Sequence, residues 1–170
     1  MKPVVSPAIN PIMKVLYLCT HNRCRSIVFE AMTRHLAGDV IEARSAGSHP
    51  AGEVHPLTLH YLQAEGVSTA GLTSQSWDAF EGFEPDVVVT VCDAAAGEQC
   101  PIWFGPVLKV HWGLDDPSAV SAEQTDAAFK HCLNEVSARV MQLKMIAEQS
   151  LSPDQQRRAI QALDISIPNH

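Results

Sequence analysis

Six residues, Asp86 to Val91, read DVVVTV. A run so continuously apolar and β-branched offers water no polar side, so it fits a strand buried on both faces of a sheet. Such a strand needs cover above and below. The rest of the chain supplies both more strands and the cover. KVLYL (14–18) is a second short apolar run, VIEARSAG (40–47) a strand running into a loop, and VLKVHW (107–112) another strand. Between them lie segments with helical spacing. In SIVFEAMTRHLAG, Ile27, Val28, Ala31, Met32 and Leu36 recur along one side, and Gly38 is the stop. In HPLTLHYLQAEG, Pro56 suits the first turn and Gly66 the end, with Leu59, Leu62 and Gln63 along one side. A polar connection follows, with a short helix at Trp77–Phe80.

Ser121 and Gln124 form a capping-box pattern ahead of a long helix with an apolar stripe of Phe129, Leu133, Val136, Val140 and Leu143. Ser152-Pro153 starts a terminal helix reaching about Leu163. Strands alternating with helices predict an α/β domain with a largely parallel sheet flanked by helices, in three layers. With 170 residues, 46% of them hydrophobic, the chain can fill one such domain. Its core reads as residues 14–149, after a flexible N-terminal extension at 1–13 and before a C-terminal helical extension and tail at 150–170.

The formal charge of −7 gives nucleic acid no general electrostatic attraction, so none is expected as a partner. No run is apolar and long enough to cross a membrane, and the start of the chain lacks the apolar core of a secretory signal. A cytoplasmic protein is expected. Five cysteines, an odd number, argue against a structural disulfide framework there. No CxxC or CxxH pair is present, so a zinc site is not expected, nor any other metal.

In open parallel sheets, ligands bind beyond the carboxyl ends of strands. Cys19 and Cys92 each stand at such an end. Cys19 opens the stretch CTHNRCRS, a loop between strand and helix. A loop of this kind points backbone N–H groups inward, and the helix start adds partial positive charge. Together they form a nest for a tetrahedral oxyanion, built from Thr20, His21, Asn22, Arg23, Cys24 and Arg25. Arg25 can close it with a bidentate fork. The same field lowers the pKa of a thiol, which predicts a nucleophilic Cys19 with Ser26 donating to its thiolate. WGLDDP (112–117) offers Asp115 and Asp116, and Asp116, fixed by the following proline, suits a general acid. Cys24 and Cys132 read as packed, inert thiols.

VLYLCTHNRCRS resembles the phosphate-binding loop of the low-molecular-weight protein tyrosine phosphatase fold. VVVTVCDAAAGEQCP and HWGLDDP resemble its arsenate reductase branch more particularly. The likeness spans about Lys14 to Glu148. It implies a four-stranded parallel sheet, a Cys19 nucleophile, Arg25 as oxyanion binder and Asp116 as general acid. It further implies a thiol relay: Cys19 attacks arsenate, Cys92 attacks Cys19 and releases arsenite, and Cys100 then forms the Cys92–Cys100 disulfide that thioredoxin reduces. Phosphate or sulfate would stand in for arsenate. No tightly bound cofactor is implied.

A straight helix would hold Cys92 and Cys100 about 12 Å apart at 1.5 Å per residue. A disulfide needs Cα atoms roughly 4.4–6.8 Å apart, so the segment between them must bend, and Gly97 eases that. Some relatives bind potassium beside the loop. Asn22, Glu30 and Ser45 match three of those ligands, but Gln75 falls where the family has Asp, which speaks against the ion. His21 and Arg23 also depart from the family loop and add positive charge at its mouth. Two other activities fit the same loop: a phosphatase acting on phosphotyrosine or a small ester, and an arsenate reductase served by glutathione and glutaredoxin. A non-catalytic oxyanion sensor is a third possibility, against which a reactive Cys19 would count.

Overall fold

The computed structural model describes residues 12–92 and 107–166. Its centre is a four-stranded, fully parallel sheet. The strands are β1 (Met13–Leu18), β2 (Ile41–Ala46), β3 (Val87–Thr90) and β4 (Leu108–His111), in spatial order β2-β1-β3-β4. The helices are α1 (Arg25–Ala37), α2 (Pro56–Ala64), α3 (Thr125–Glu148) and α4 (Pro153–Ser166). Short 3-10 turns cover Trp77–Phe80 and Pro117–Ala119. Between β1 and β2 the parallel crossover carries α1 over the sheet, as parallel pairing requires.

The VVVT run behaves as its composition demands. Val87 and Val89 join Val15, Tyr17 and Val110 in the main core, which α1, α3 and Ile160 of α4 complete. Val88 turns the other way, with Leu16, Leu18 and Ala46. Trp77, Phe80 and Phe83 pack on that second face. Tyr17 stacks on Phe29 of α1 at 4.9 Å, and its hydroxyl meets Thr33 at 2.9 Å.

Three local expectations change. Gln124 makes no capping bond, and α3 starts only at Thr125. Residues 121–124 form a turn instead, closed by Gln124 N donating to Ser121 O at 3.0 Å. The reciprocal box sits one helix later. There Ser152 Oγ accepts from Gln155 N at 3.2 Å, and Gln155 Oε1 accepts from Ser152 N at 2.9 Å. In α2, Thr58 and Leu62 are buried while Gln63 is exposed, because the helix leans with Thr58 toward the Cys19 loop. In α1, burial reaches well beyond the apolar stripe. Phe29, Glu30 and Thr33 are buried too, since β1 and β2 lie under the helix and α3 beside it. The chain ends add to the core: Met13 pairs with Ile41 and is buried, and Ile160 of α4 is buried.

Candidate functional site

Residues 19–24 join β1 to α1, so Cys19 leaves the sheet at the carboxyl end of an inner strand. The loop's shape follows from where its carbonyls go. Thr20 O accepts from His49 N, His21 O from Ala51 N, and Arg23 O from His55 N, each at 2.9 Å. Ser74 Oγ donates to His21 O as well, at 3.0 Å. A planar trans peptide with its carbonyl turned outward has its N–H turned inward. The loop amides therefore face the hollow that α1 also points its first turn into, which is an oxyanion nest.

Two residues hold that curve. Asn22 adopts φ 47°, the left-handed region that asparagine tolerates best after glycine. Its side chain is fully buried and donates to Ser26 Oγ (2.8 Å) and Ser45 Oγ (3.0 Å), while its Oδ1 accepts from Gln75 N (2.8 Å). Gly47 lies directly against the loop. A Cβ there would fall 2.5 Å from Thr20 O and 2.7 Å from Cys19 O, so no side chain fits.

Arg25 is the first residue of α1. Its Nη1 donates to Leu114 O at 3.0 Å, and Nη2 lies 3.9 Å from Asp116 Oδ2, the outer limit of an ion pair. Its Nε is buried with no acceptor among the described residues. A buried donor left unmade is costly, so an oxyanion at that point would satisfy what the protein does not. Asp116 accepts from Ser118 N (2.9 Å) and Ser118 Oγ (2.6 Å) through Oδ1, leaving Oδ2 on the Arg25 side. Asp115 is exposed, so of the acidic pair Asp116 is the one beside the loop.

Cys92 follows β3, the strand next to β1, with Leu18 and Thr90 in register. Its Sγ lies 3.8 Å from Thr20 Oγ1, and it hydrogen-bonds the Cys19 thiol. This contact changes the chemistry expected of Cys19. The neighbouring Cys92 and burial push the Cys19 pKa up, while Arg25 and the His21 backbone pull it down. A lone thiol in this loop would lose its proton easily; a thiol paired with another holds it. Ser26 is fully buried and takes its bond from Asn22; among the described residues it does not bond to Cys19. Cys24 and Cys132 are buried, and desolvation raises both pKa values, Cys24 to about 11. Cys19, Cys24 and Cys132 are free thiols. Cys100 and Gly97 lie outside the described residues.

The mouth is basic. His21 is exposed, and its Nδ1 donates to His49 O at 3.0 Å. Arg23 is half-buried beside His55, whose pKa falls through burial and that charge. The residues matching a potassium site do not fit the ion. Gln75 supplies no charge, and its Nε2 donates toward Ser45 O at 3.5 Å, where a ligand oxygen would be needed. Ser45 Oγ is spent on Glu30 Oε1 at 2.6 Å. No group of three or more His, Cys, Asp or Glu suited to a metal occurs among the described residues.

Three contributors to the site carried little signal in the sequence, and a fourth was overlooked. The strap at 49–55 acts through backbone N–H groups, and Leu114 through its carbonyl, so their side chains announce nothing. Gly47 is legible only as a glycine after a strand. Ser118 had a signal: Asp-Pro-Ser is a turn pattern in which Asp accepts from the residue two on.

Residues 14–157 match the low molecular weight phosphotyrosine protein phosphatase family. The arsenate reductase of Halalkalibacterium halodurans is 36% identical over 132 residues, covering 75% of this chain and 92% of that protein. That of Bacillus subtilis is 33% identical over 138 residues, covering 79% of this chain and 96% of its own. Among solved structures, an arsenate reductase in the phosphate binding state aligns at TM-score 0.67 and 27% identity, over 79% of this chain and 98% of that one. A thioredoxin-dependent arsenate reductase from Corynebacterium glutamicum aligns at TM-score 0.65 and 28% identity, over 83% of this chain and 64% of that one. With a family match over most of its length, the chain belongs to the low molecular weight phosphotyrosine protein phosphatase family, and the relatives it resembles there are arsenate reductases.

Proposed function

We propose that this protein reduces arsenate to arsenite in arsenic detoxification. The observation that carries the reading is a second thiol, Cys92, set beside the Cys19 thiol at the rim of an oxyanion loop, on the strand paired with β1 and 3.8 Å from Thr20 Oγ1. A phosphatase needs only Cys19. The loop amides and Arg25 bind the arsenate. Cys19 attacks as the thiolate, an As–S bond forms, and the departing oxygen leaves as water with a proton from Asp116 Oδ2. Cys92 then attacks Cys19 Sγ. The S–S bond forms, the As–S bond breaks, and its electron pair stays on arsenic, which leaves as arsenite. Two thiols have been oxidised and one arsenic reduced by two electrons. Cys100 attacks Cys92, freeing Cys19, and an external dithiol reduces the Cys92–Cys100 bond.

Thioredoxin is the reductant this scheme favours, because three protein thiols deliver a disulfide rather than a mixed disulfide with a small thiol. The thioredoxin dependence of the Corynebacterium glutamicum relative supports it. A cytoplasmic setting suits a chain in which Cys19, Cys24 and Cys132 are free thiols. No helix among the described residues is long and apolar enough to cross a membrane.

Two variants test the relay. Cys92→Ser should stop at the arsenate adduct and release no arsenite. Cys100→Ser should release one arsenite per enzyme and retain a Cys19–Cys92 disulfide, visible by mass mapping. Sustained turnover by either variant sinks the scheme. Running the thioredoxin and glutaredoxin systems side by side identifies the reductant. Hydrolysis of a phosphate ester is the second reading, favoured by Arg25 and Asp116 at the loop. Its mark would be activity that survives Cys92→Ser.

A further inference from the structure

Arg139 lies in α3, outside the loop, and is one of the few buried charged residues, only 8% exposed. A guanidinium taken out of water needs partners of good geometry. Leu163 and Trp112 are among them. Nη1 donates to Leu163 O at 2.8 Å, and the guanidinium carbon sits 4.8 Å from the centroid of the Trp112 ring. Leu163 O belongs to the last turn of α4, where carbonyls lack helical partners and carry partial negative charge. Arg over Trp is the stronger kind of cation–π pair.

Trp112 is where this matters. It is buried and forms the root of the segment that carries Leu114 and Asp116. Its N donates to Thr90 O at 2.8 Å, Leu114 N donates to Val91 O at 3.1 Å, and Leu114 O then takes the Arg25 fork. The ring's own Nε1 has no hydrogen-bond partner among the described residues. Packing rather than a hydrogen bond therefore holds the ring, and against it lie Arg139 and, at 6.2 Å, Phe29 of α1. Ile160 and Leu163 lie beyond residue 157, where the family match ends.

We propose that Arg139 is a positioning residue of the oxyanion site, and that α4 is its anchor. By clamping Trp112 it fixes the root of the 112–118 segment, and with it the Leu114 carbonyl that aims Arg25. The inference rests on the Cys19 loop being an oxyanion site, whichever oxyanion it processes.

Protection of Cys19 from iodoacetamide by inorganic phosphate tests it, in the full chain, with melting temperature recorded alongside. Arg139→Met should raise the half-protecting phosphate concentration roughly tenfold, the scale of coupling carried by packed contacts. Arg139→Lys, which keeps charge and ring contact, should recover most of that. Trp112→Phe should shift protection in the same direction by less. A merely structural role would lower the melting temperature of each variant and leave the half-protecting concentration where it was; that result overturns the inference. If Arg139→Met does not fold, unchanged protection in Trp112→Phe overturns it equally. A wild-type protein that phosphate fails to protect overturns the site reading and this inference together.

Discussion

Cys19 and Cys92 stand at the ends of adjacent strands, while Cys24 and Cys132 stand under the first turn of α1 and in α3, within electrostatic reach of each other. All four are buried to a similar degree. Accessibility therefore does not separate them; neighbours do. Burial is the leading cause that raises Cys24 and Cys132. For Cys19 the leading cause is Cys92, with Arg25 and the His21 N–H pulling the other way. A thiol raised by desolvation stays inert. A thiol raised by a second thiol is released when that partner moves or reacts, and this is the property a relay needs.

The largest test of that contrast deletes one thiol from each pair. Cys19→Ser should lower arsenate reduction by roughly four or more orders of magnitude, the scale seen when a covalent nucleophile is lost. Cys132→Ala should leave it within about threefold, because its site lies in the packing between helices. Comparable losses in steady-state arsenite release would erase the distinction. Next comes the proton donor. Asp116→Asn keeps the shape and the bonds from Ser118 but cannot give up a proton. Arsenate turnover should fall about 10²–10⁴-fold, the usual range for a general acid.

A middle-sized effect separates the loop's wall from an indifferent surface. Gly47→Ala puts a Cβ 2.5 Å from Thr20 O, and both are backbone-bound, so the loop must shift. A cost of about 1–3 kcal/mol is expected, lowering the melting temperature by roughly 2–4 °C for each kcal/mol in a chain of this size. Phosphate protection of Cys19 should weaken with it. Gly82→Ala, where a Cβ would meet nothing within 4 Å, is the control. Equal melting temperatures for the two would mean that the loop gives way freely.

The pairing itself is sharpened by Cys92→Ser. Serine near neutrality cannot become the anion that takes the Cys19 proton in a hydrogen bond, and its hydroxyl can instead donate to a Cys19 thiolate, so the main cause raising Cys19 goes. The Cys19 pKa should fall, the thiolate fraction at neutral pH should rise, and iodoacetamide alkylation should begin at lower pH. A midpoint that stays put or moves toward alkali would show that burial alone governs Cys19.

The alternation of apolar runs made the parallel sheet legible, because a strand such as VVVT admits no other placement. The loop was legible for a related reason: its side chains and its position between strand and helix both point to an oxyanion. What the sequence hid acts through backbone. The N–H groups of His49, Ala51 and His55 turn the loop carbonyls outward, and no side-chain pattern records that. The raised Cys19 pKa was hidden too. The sequence places Cys92 on the same rim, but only the pairing of β1 with β3 brings the two thiols into contact.

The smallest effect concerns the ion that Gln75 displaces. Asn22, Ser45 and Glu30 already satisfy one another, and the Gln75 backbone N–H holds Asn22 Oδ1 where a cation would otherwise draw it. The loop is thus braced by neutral donors. Exchanging potassium for sodium at fixed ionic strength should change arsenate turnover by less than about twofold, since surface screening is the same for both. Gln75→Asp adds a half-buried carboxylate beside Ser45, whose hydroxyl already meets the buried Glu30, and two carboxylates around one residue repel unless a cation lies between them. That variant should be less stable in sodium than in potassium, read as a difference in melting temperature. A wild-type protein that already prefers potassium would show that Gln75 fills the position without replacing the ion.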